Sequence, residues 1–77
     1  MNKFYVVEGV EDAGVVYLGF DDEGSRLAYL KGAYLYDDKD AAAYDCAKAN
    51  REFKGVVFKV RECMVTLGEI LWVSSMP

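Results

Sequence analysis

The stretch Asp38-Lys39-Asp40-Ala41-Ala42-Ala43-Tyr44-Asp45-Cys46-Ala47-Lys48-Ala49-Asn50-Arg51-Glu52-Phe53, followed by Lys54-Gly55-Val56-Val57-Phe58-Lys59-Val60, decides the fold. Its first part reads as a helix. Asp38 is placed to cap the N-terminus by accepting from free amides of the first turn. Asp40 lies near the positive end of the helix, and Lys48, Arg51 and Lys54 lie near the negative end, which suits the macrodipole. Gly55 is placed to end the helix in the left-handed conformation. Ala42, Cys46, Ala49 and Phe53 recur at helical spacing on one face. Most of that face is small, so the helix axis can approach a sheet closely. After Gly55 the period changes. Val56, Phe58 and Val60 alternate with Val57, Lys59 and Arg61, the pattern of a half-buried strand.

Outward from this core the β signal dominates. Phe4-Tyr5-Val6-Val7-Glu8-Gly9-Val10 is aromatic and β-branched. Glu11-Asp12-Ala13-Gly14 carries turn chemistry, and Val15-Val16-Tyr17-Leu18-Gly19-Phe20 reads as the second arm of a hairpin. Asp21-Asp22-Glu23-Gly24-Ser25 is a polar loop. Leu27-Ala28-Tyr29-Leu30 reads as a short third strand, broken by Lys31-Gly32, with Ala33-Tyr34-Leu35-Tyr36 extended. Leu27, Leu30 and Tyr34 equally fit a helical turn. Past the helix, Cys63-Met64-Val65-Thr66-Leu67 continues an apolar strand, Gly68-Glu69 turns, and Ile70-Leu71-Trp72-Val73 forms a last strand. Residues 74–77 read as a frayed end. The expectation is a single α+β domain over residues 1–77. It has an antiparallel sheet of four to five strands with one helix packed on one face, in the order ββ(β)αββ. Gly9, Gly14, Gly19 and Gly24 recur every five residues, a period of no phosphate-cradling loop, and are read as turn and bulge residues.

Composition removes most catalytic chemistry. The chain of 77 residues contains no His, so neither a Ser–His nor a Cys–His nucleophile pair exists. Cys46 and Cys63 lack zinc-ligand spacing and read as buried free thiols of a reducing compartment. Lys31-Gly32 and Lys54-Gly55 reverse the order of a phosphate-binding loop. No apolar run is long enough to span a bilayer, and Met1–Glu8 has no long apolar stretch of a secretory leader. These features point to a cytoplasmic protein with no cofactor, no bound metal and no catalytic residue.

Charge supplies the positive signal. The net charge is −4, and it is uneven: residues 1–40 hold nine acids and four bases, residues 41–77 four acids and five bases. The acids cluster at Glu11-Asp12, Asp21-Asp22-Glu23 and Asp37-Asp38-Lys39-Asp40, all in expected connections. Gathered on one surface they would make a negative field that repels nucleic acid and attracts a basic partner. The competing reading is plain solvated loops, since Asp favours turns and Asp38 already caps the helix. Tyr29, Tyr34, Tyr36 and Tyr44 lie among these acids, and tyrosine offers a rigid contact area with a polar tip. The competing reading, and the commoner one for such rings, is that they fill the rim of a small core. Lys59 and Arg61, on the outward side of their strand, read as edge protection.

The order of Tyr17-Leu18-Gly19-Phe20-Asp21-Asp22-Glu23-Gly24, Ala33-Tyr34-Leu35-Tyr36-Asp37-Asp38-Lys39-Asp40-Ala41-Ala42 and Lys54-Gly55-Val56-Val57-Phe58-Lys59-Val60 resembles a layout of short phage- and prophage-encoded accessory proteins. Some of these are anti-CRISPR or other anti-defence inhibitors. The resemblance implies action without catalysis, by occupying the basic channel of a host nucleic-acid-targeting complex. The expected partner is a larger protein or nucleoprotein complex with a basic surface, with no direct nucleic-acid or membrane binding. The expected contact residues are Glu11, Asp12, Asp21, Asp22, Glu23, Tyr34, Tyr36, Asp37, Asp38 and Asp40. Two other readings stand beside it: a structural homodimer completed through edge strands, and a protein that sequesters a small nucleotide on Lys48, Arg51, Lys54, Lys59 and Arg61.

Overall fold

The computed structural model describes residues 2–66 and 69–72. The expected frayed end at residues 74–77 lies outside them. The chain folds as β1 (Asn2–Glu11), β2 (Gly14–Asp21), β3 (Gly24–Ala28), a 3-10 turn (Leu30–Gly32), α1 (Lys39–Glu52), β4 (Val57–Thr66) and β5 (Glu69–Trp72). The five strands form one antiparallel sheet in the order β3-β2-β1-β4-β5, with α1 packed on it. This is the α+β arrangement expected from the sequence. The third strand starts earlier than expected, at Gly24, and so takes in the last two residues of the expected loop. It ends at Ala28, and Leu30 enters the 3-10 turn, so the segment 27–36 holds both a strand and a helical turn.

The helix forms where its local signals lie. Asp38 caps it, its carboxylate accepting from the Asp40 amide at 3.2 Å. Ala42, Cys46 and Ala49 are its buried residues, and Gly55 takes a φ of +81° just beyond its end. The small face lets α1 sit close over β1 and β4. There Val7, Leu18, Val56 and Phe58 join the helix residues and Tyr36 in one core. Gly9 leaves room for two of these core side chains: a side-chain carbon there would meet Val56 Cγ1 at 2.6 Å and Phe58 Cε1 at 2.7 Å. The five-residue glycine period therefore mixes two roles. Gly14 and Gly24 turn the hairpins with φ of +138° and +118°, while Gly9 and Gly19 clear space for packing.

The helix is also stitched to β4 through Asn50. Its side-chain amide donates to the Phe58 carbonyl at 3.2 Å and accepts from the Phe58 amide at 2.8 Å. An amide side chain thus completes the edge of β4 beyond the reach of β5, whose described residues pair with Cys63–Thr66. Asn50→Ala strands both backbone groups. We expect a loss of about 1–2 kcal/mol in urea unfolding, with Asn50→Asp only partly restoring it, because the carboxylate cannot donate.

The opposite face of the sheet carries a second, smaller core. Val6, Tyr17 and Cys63 are buried there, with Phe4, Leu30, Ala33, Leu35, Ile70 and Trp72 packed around them. The 3-10 turn and the extended segment after it therefore cover part of the face opposite the helix. Glu8 lies on this side, only 5% exposed. Its carboxylate accepts from Arg61 at 2.7 Å and from the Tyr17 hydroxyl at 3.1 Å, with Lys59 at 3.9 Å. The Arg61 guanidinium in turn lies 4.0 Å over the Trp72 ring. Lys59 and Arg61 lie on the stretch of β4 that the described residues of β5 do not cover. Beyond the edge role expected of them, both cations neutralise a buried carboxylate, which would otherwise be costly to desolvate.

Candidate acidic–aromatic docking groove

The segment Ala33–Tyr36 enters the sheet as a wedge. β1 and β2 pair only from Glu8–Tyr17 to Glu11–Gly14 and then diverge. Into the gap comes the chain after the 3-10 turn. The Tyr34 amide donates to the Leu18 carbonyl at 3.1 Å on the β2 side. Tyr36 pairs with Tyr5 of β1 through two backbone bonds, at 2.7 and 2.8 Å. Gly19 makes this possible, because any side chain there would meet the Gly32 carbonyl.

The wedge lines up three aromatic rings. Phe20 and Tyr34 meet edge to face with centroids 5.3 Å apart, and Tyr34 and Tyr36 do the same at 4.7 Å. Tyr36 is buried and its hydroxyl donates to Asp45 of α1 at 2.7 Å. Burial chiefly, then this hydrogen bond and the Asp45 charge, push the Tyr36 hydroxyl pKa far up, so it remains a donor at neutral pH. Phe20, Tyr34, Tyr36, Asp37, Ala41 and Asp45 enclose an open groove of about 420 Å³. Tyr34 is half exposed in it. Phe20 leads directly into Asp21-Asp22-Glu23, and Asp37 into the acidic cap of α1, so the groove has an acidic loop adjoining each side.

Of the expected contact residues, the topology brings two acidic groups to one end of the sheet. The wedge runs antiparallel to β1 and reaches Asp37, Asp38 and Asp40 at the end where β1 begins. The β2–β3 turn, with Asp21, Asp22 and Glu23, lies at that end too. Glu11 and Asp12 do not join them. They form the β1–β2 turn at the other end of β2, about 25 Å away along an eight-residue strand. Phe20 and Asp45 complete the groove and were not among the expected contact residues. The alternation Val16, Leu18, Phe20 was the signal that places Phe20 on the helix side. Some acids also have structural partners: Asp21 accepts from the Glu23 amide at 2.9 Å and lies 3.9 Å from Arg26, and Asp38 caps α1.

Among the described residues no three His, Cys, Asp or Glu side chains form a metal-ligand set, and no helix is long and apolar enough to cross a membrane. Cys46 and Cys63 are buried free thiols whose pKa burial raises, which disfavours the reactive thiolate. No family model matches this chain, and neither a curated protein nor a solved structure matches it.

Proposed function

We propose that the protein is a non-enzymatic binding module that docks the basic surface of a larger protein or nucleoprotein complex through its acidic–aromatic end. The observation that carries this reading is the groove in which the rings of Phe20, Tyr34 and Tyr36 sit beside Asp37 and Asp45. Aromatic faces and carboxylates together suit Arg and Lys side chains, by cation–π contact and by charge-assisted hydrogen bonds. Acids on the flanking loops add longer-range attraction that accelerates encounter. In its more specific form, the module is a phage-derived inhibitor acting in a bacterial cytoplasm. Its carboxylates then stand where phosphates bind in a host defence complex, of the anti-CRISPR kind. The overall negative charge and the sequence layout around Tyr17–Val60 support that form.

The test is capture of partners from bacterial lysate on immobilised protein, at low and at high salt, followed by mass spectrometry. Reversal of Asp21, Asp22 and Glu23 to Lys should cut recovery at low salt by about tenfold or more, because it removes three attractive charges and adds three repulsive ones. Tyr34→Ala should lower recovery at every salt concentration, since it removes the apolar contact. Circular dichroism checks that both variants fold. Recovery indifferent to both changes would refute the assignment.

A further inference from the structure

We propose that the notch where β3 ends takes an extended segment of a partner protein carrying an acidic side chain, which continues the β3 ladder along β2. β3 stops at Ala28 opposite Tyr17, while β2 extends to Gly14. The two-residue turn Asp12-Ala13 closes on the Glu11–Gly14 pair. That register aims the peptide groups of Gly14 and Val16 at β1 and those of Val15 and Tyr17 at the β3 side. Tyr17 finds Ala28 there, whereas Val15 has no strand partner on that side among the described residues. Two other such gaps are closed: Ala33–Tyr36 fills the one between β1 and β2, and Asn50 caps β4 at Phe58. At Val15 the chain instead turns away at Tyr29 and crosses the other face.

What remains is an open groove of about 780 Å³, lined among others by Glu11, Val15, Arg26, Leu27, Tyr29 and Lys31. Val15 is 48% and Tyr29 83% exposed, so the groove offers an unsatisfied backbone edge beside apolar surface. Its charge selects the occupant. Arg26 touches Asp21 only through Nε at 3.9 Å, and Lys31 has no carboxylate within 4 Å among the described residues. Two cations thus face the single acid Glu11, in a chain whose net charge is negative. A bound strand donates to and accepts from Val15, lays an apolar side chain between Val15 and Tyr29, and directs a carboxylate to Lys31. This site is at the opposite end of β2 from the acidic groove and does not depend on it.

The probe is an acetylated, amidated hexapeptide alternating Val and Glu, titrated to millimolar concentration into nitrogen-15-labelled protein. We expect the Val15 and Lys31 amide resonances to shift and hydrogen exchange at the Val15 amide to slow. The same peptide methylated on alternate backbone nitrogens, in either frame, should bind about tenfold more weakly in the frame that faces Val15. Lys31→Glu, a change at an exposed position, should weaken the unmethylated peptide roughly fivefold. A Val15 amide unmoved by the peptide, or equal binding by both methylated forms, would overturn the proposal. So would the same shifts appearing on concentrating the protein alone, which would assign the edge to a second copy of this chain.

Discussion

Raising the pH above about 9 steadily destabilises the protein. Four groups drive this. Burial chiefly raises the pKa of Cys46 and Cys63 above the ordinary thiol value of 9.0. Burial, assisted by hydrogen bonds to Glu8 and Asp45, raises Tyr17 and Tyr36 above the ordinary 10.0. Each is held neutral in the fold with a pKa above its unfolded value. Its contribution is therefore complete below the unfolded pKa and drains away as pH rises towards the folded one. Every such group costs up to about 1.4 kcal/mol per pH unit once its unfolded form ionises. The thiols act from about pH 9 and the tyrosines from about pH 10, each until the pH reaches its folded-state pKa. A single core of this size rarely supplies more than about 3–5 kcal/mol, so the losses fall on a small reserve. Urea midpoints measured at pH 8, 9 and 10 should fall progressively. The shares of tyrosinate absorbance belonging to Tyr17 and Tyr36 should appear only together with loss of circular dichroism. Tyr36→Phe should flatten the slope above pH 10 by about 1.4 kcal/mol per unit. Stability unchanged to pH 11 would contradict the burial of these groups.

The part of this architecture that was legible in the sequence is the part specified locally. Asp38, the Ala42–Cys46–Ala49 face and Gly55 mark α1 within a single stretch, and the structure places each as read. The first hairpin was legible for the same reason, since Asp12-Ala13 sits between β-branched runs. The second was read less well, because Gly24-Ser25-Arg26-Leu27-Ala28 has no β-branched residue to mark where its strand begins. What escaped depends on residues distant in sequence. Glu8 meets Arg61 across 53 positions, and no local pattern announces that an apparently outward arginine neutralises a buried acid. One signal for the second core was present. Phe4-Tyr5-Val6-Val7 is apolar at four successive positions, which in a strand means burial on both faces. It implied that something must cover the face opposite the helix, and Leu30, Ala33 and Leu35 do so. The candidate groove was half visible. Tyr34, Tyr36 and Asp37 stood out by type, but whether the acidic loops share an end depends on strand direction, which separates Glu11 and Asp12 from the others.

Those two layers meet at Gly19, and Gly19→Val is expected to be the most damaging single substitution outside the main core. A side-chain carbon at this position would lie 2.5 Å from the carbonyl oxygen of Gly32, a backbone atom that cannot step aside without moving the 3-10 turn. The overlap alone costs about 1–3 kcal/mol. Relieving it by lifting the turn withdraws Leu30, Ala33 and Leu35 from Val6, Tyr17 and Cys63, and strains the bonds that seat Tyr34 and Tyr36. The total is comparable to the whole stability of so small a domain. The variant should therefore unfold at room temperature, or persist with the segment 29–36 detached. Either outcome is distinguishable by hydrogen exchange at the Tyr34 and Tyr36 amides, which should lose protection first. Gly32→Ala supplies the comparison. Its added carbon meets the Ala28 methyl at 3.2 Å, a side-chain contact relieved by a small shift, so it should cost less than about 1 kcal/mol. The contrast carries into binding. Gly19 lies outside the acidic–aromatic groove, yet its substitution should abolish partner capture because the wedge aims two of the groove's three rings. A Gly19→Val protein of undiminished stability, with Tyr34 and Tyr36 still protected, would mean that the wedge is not held by this close approach.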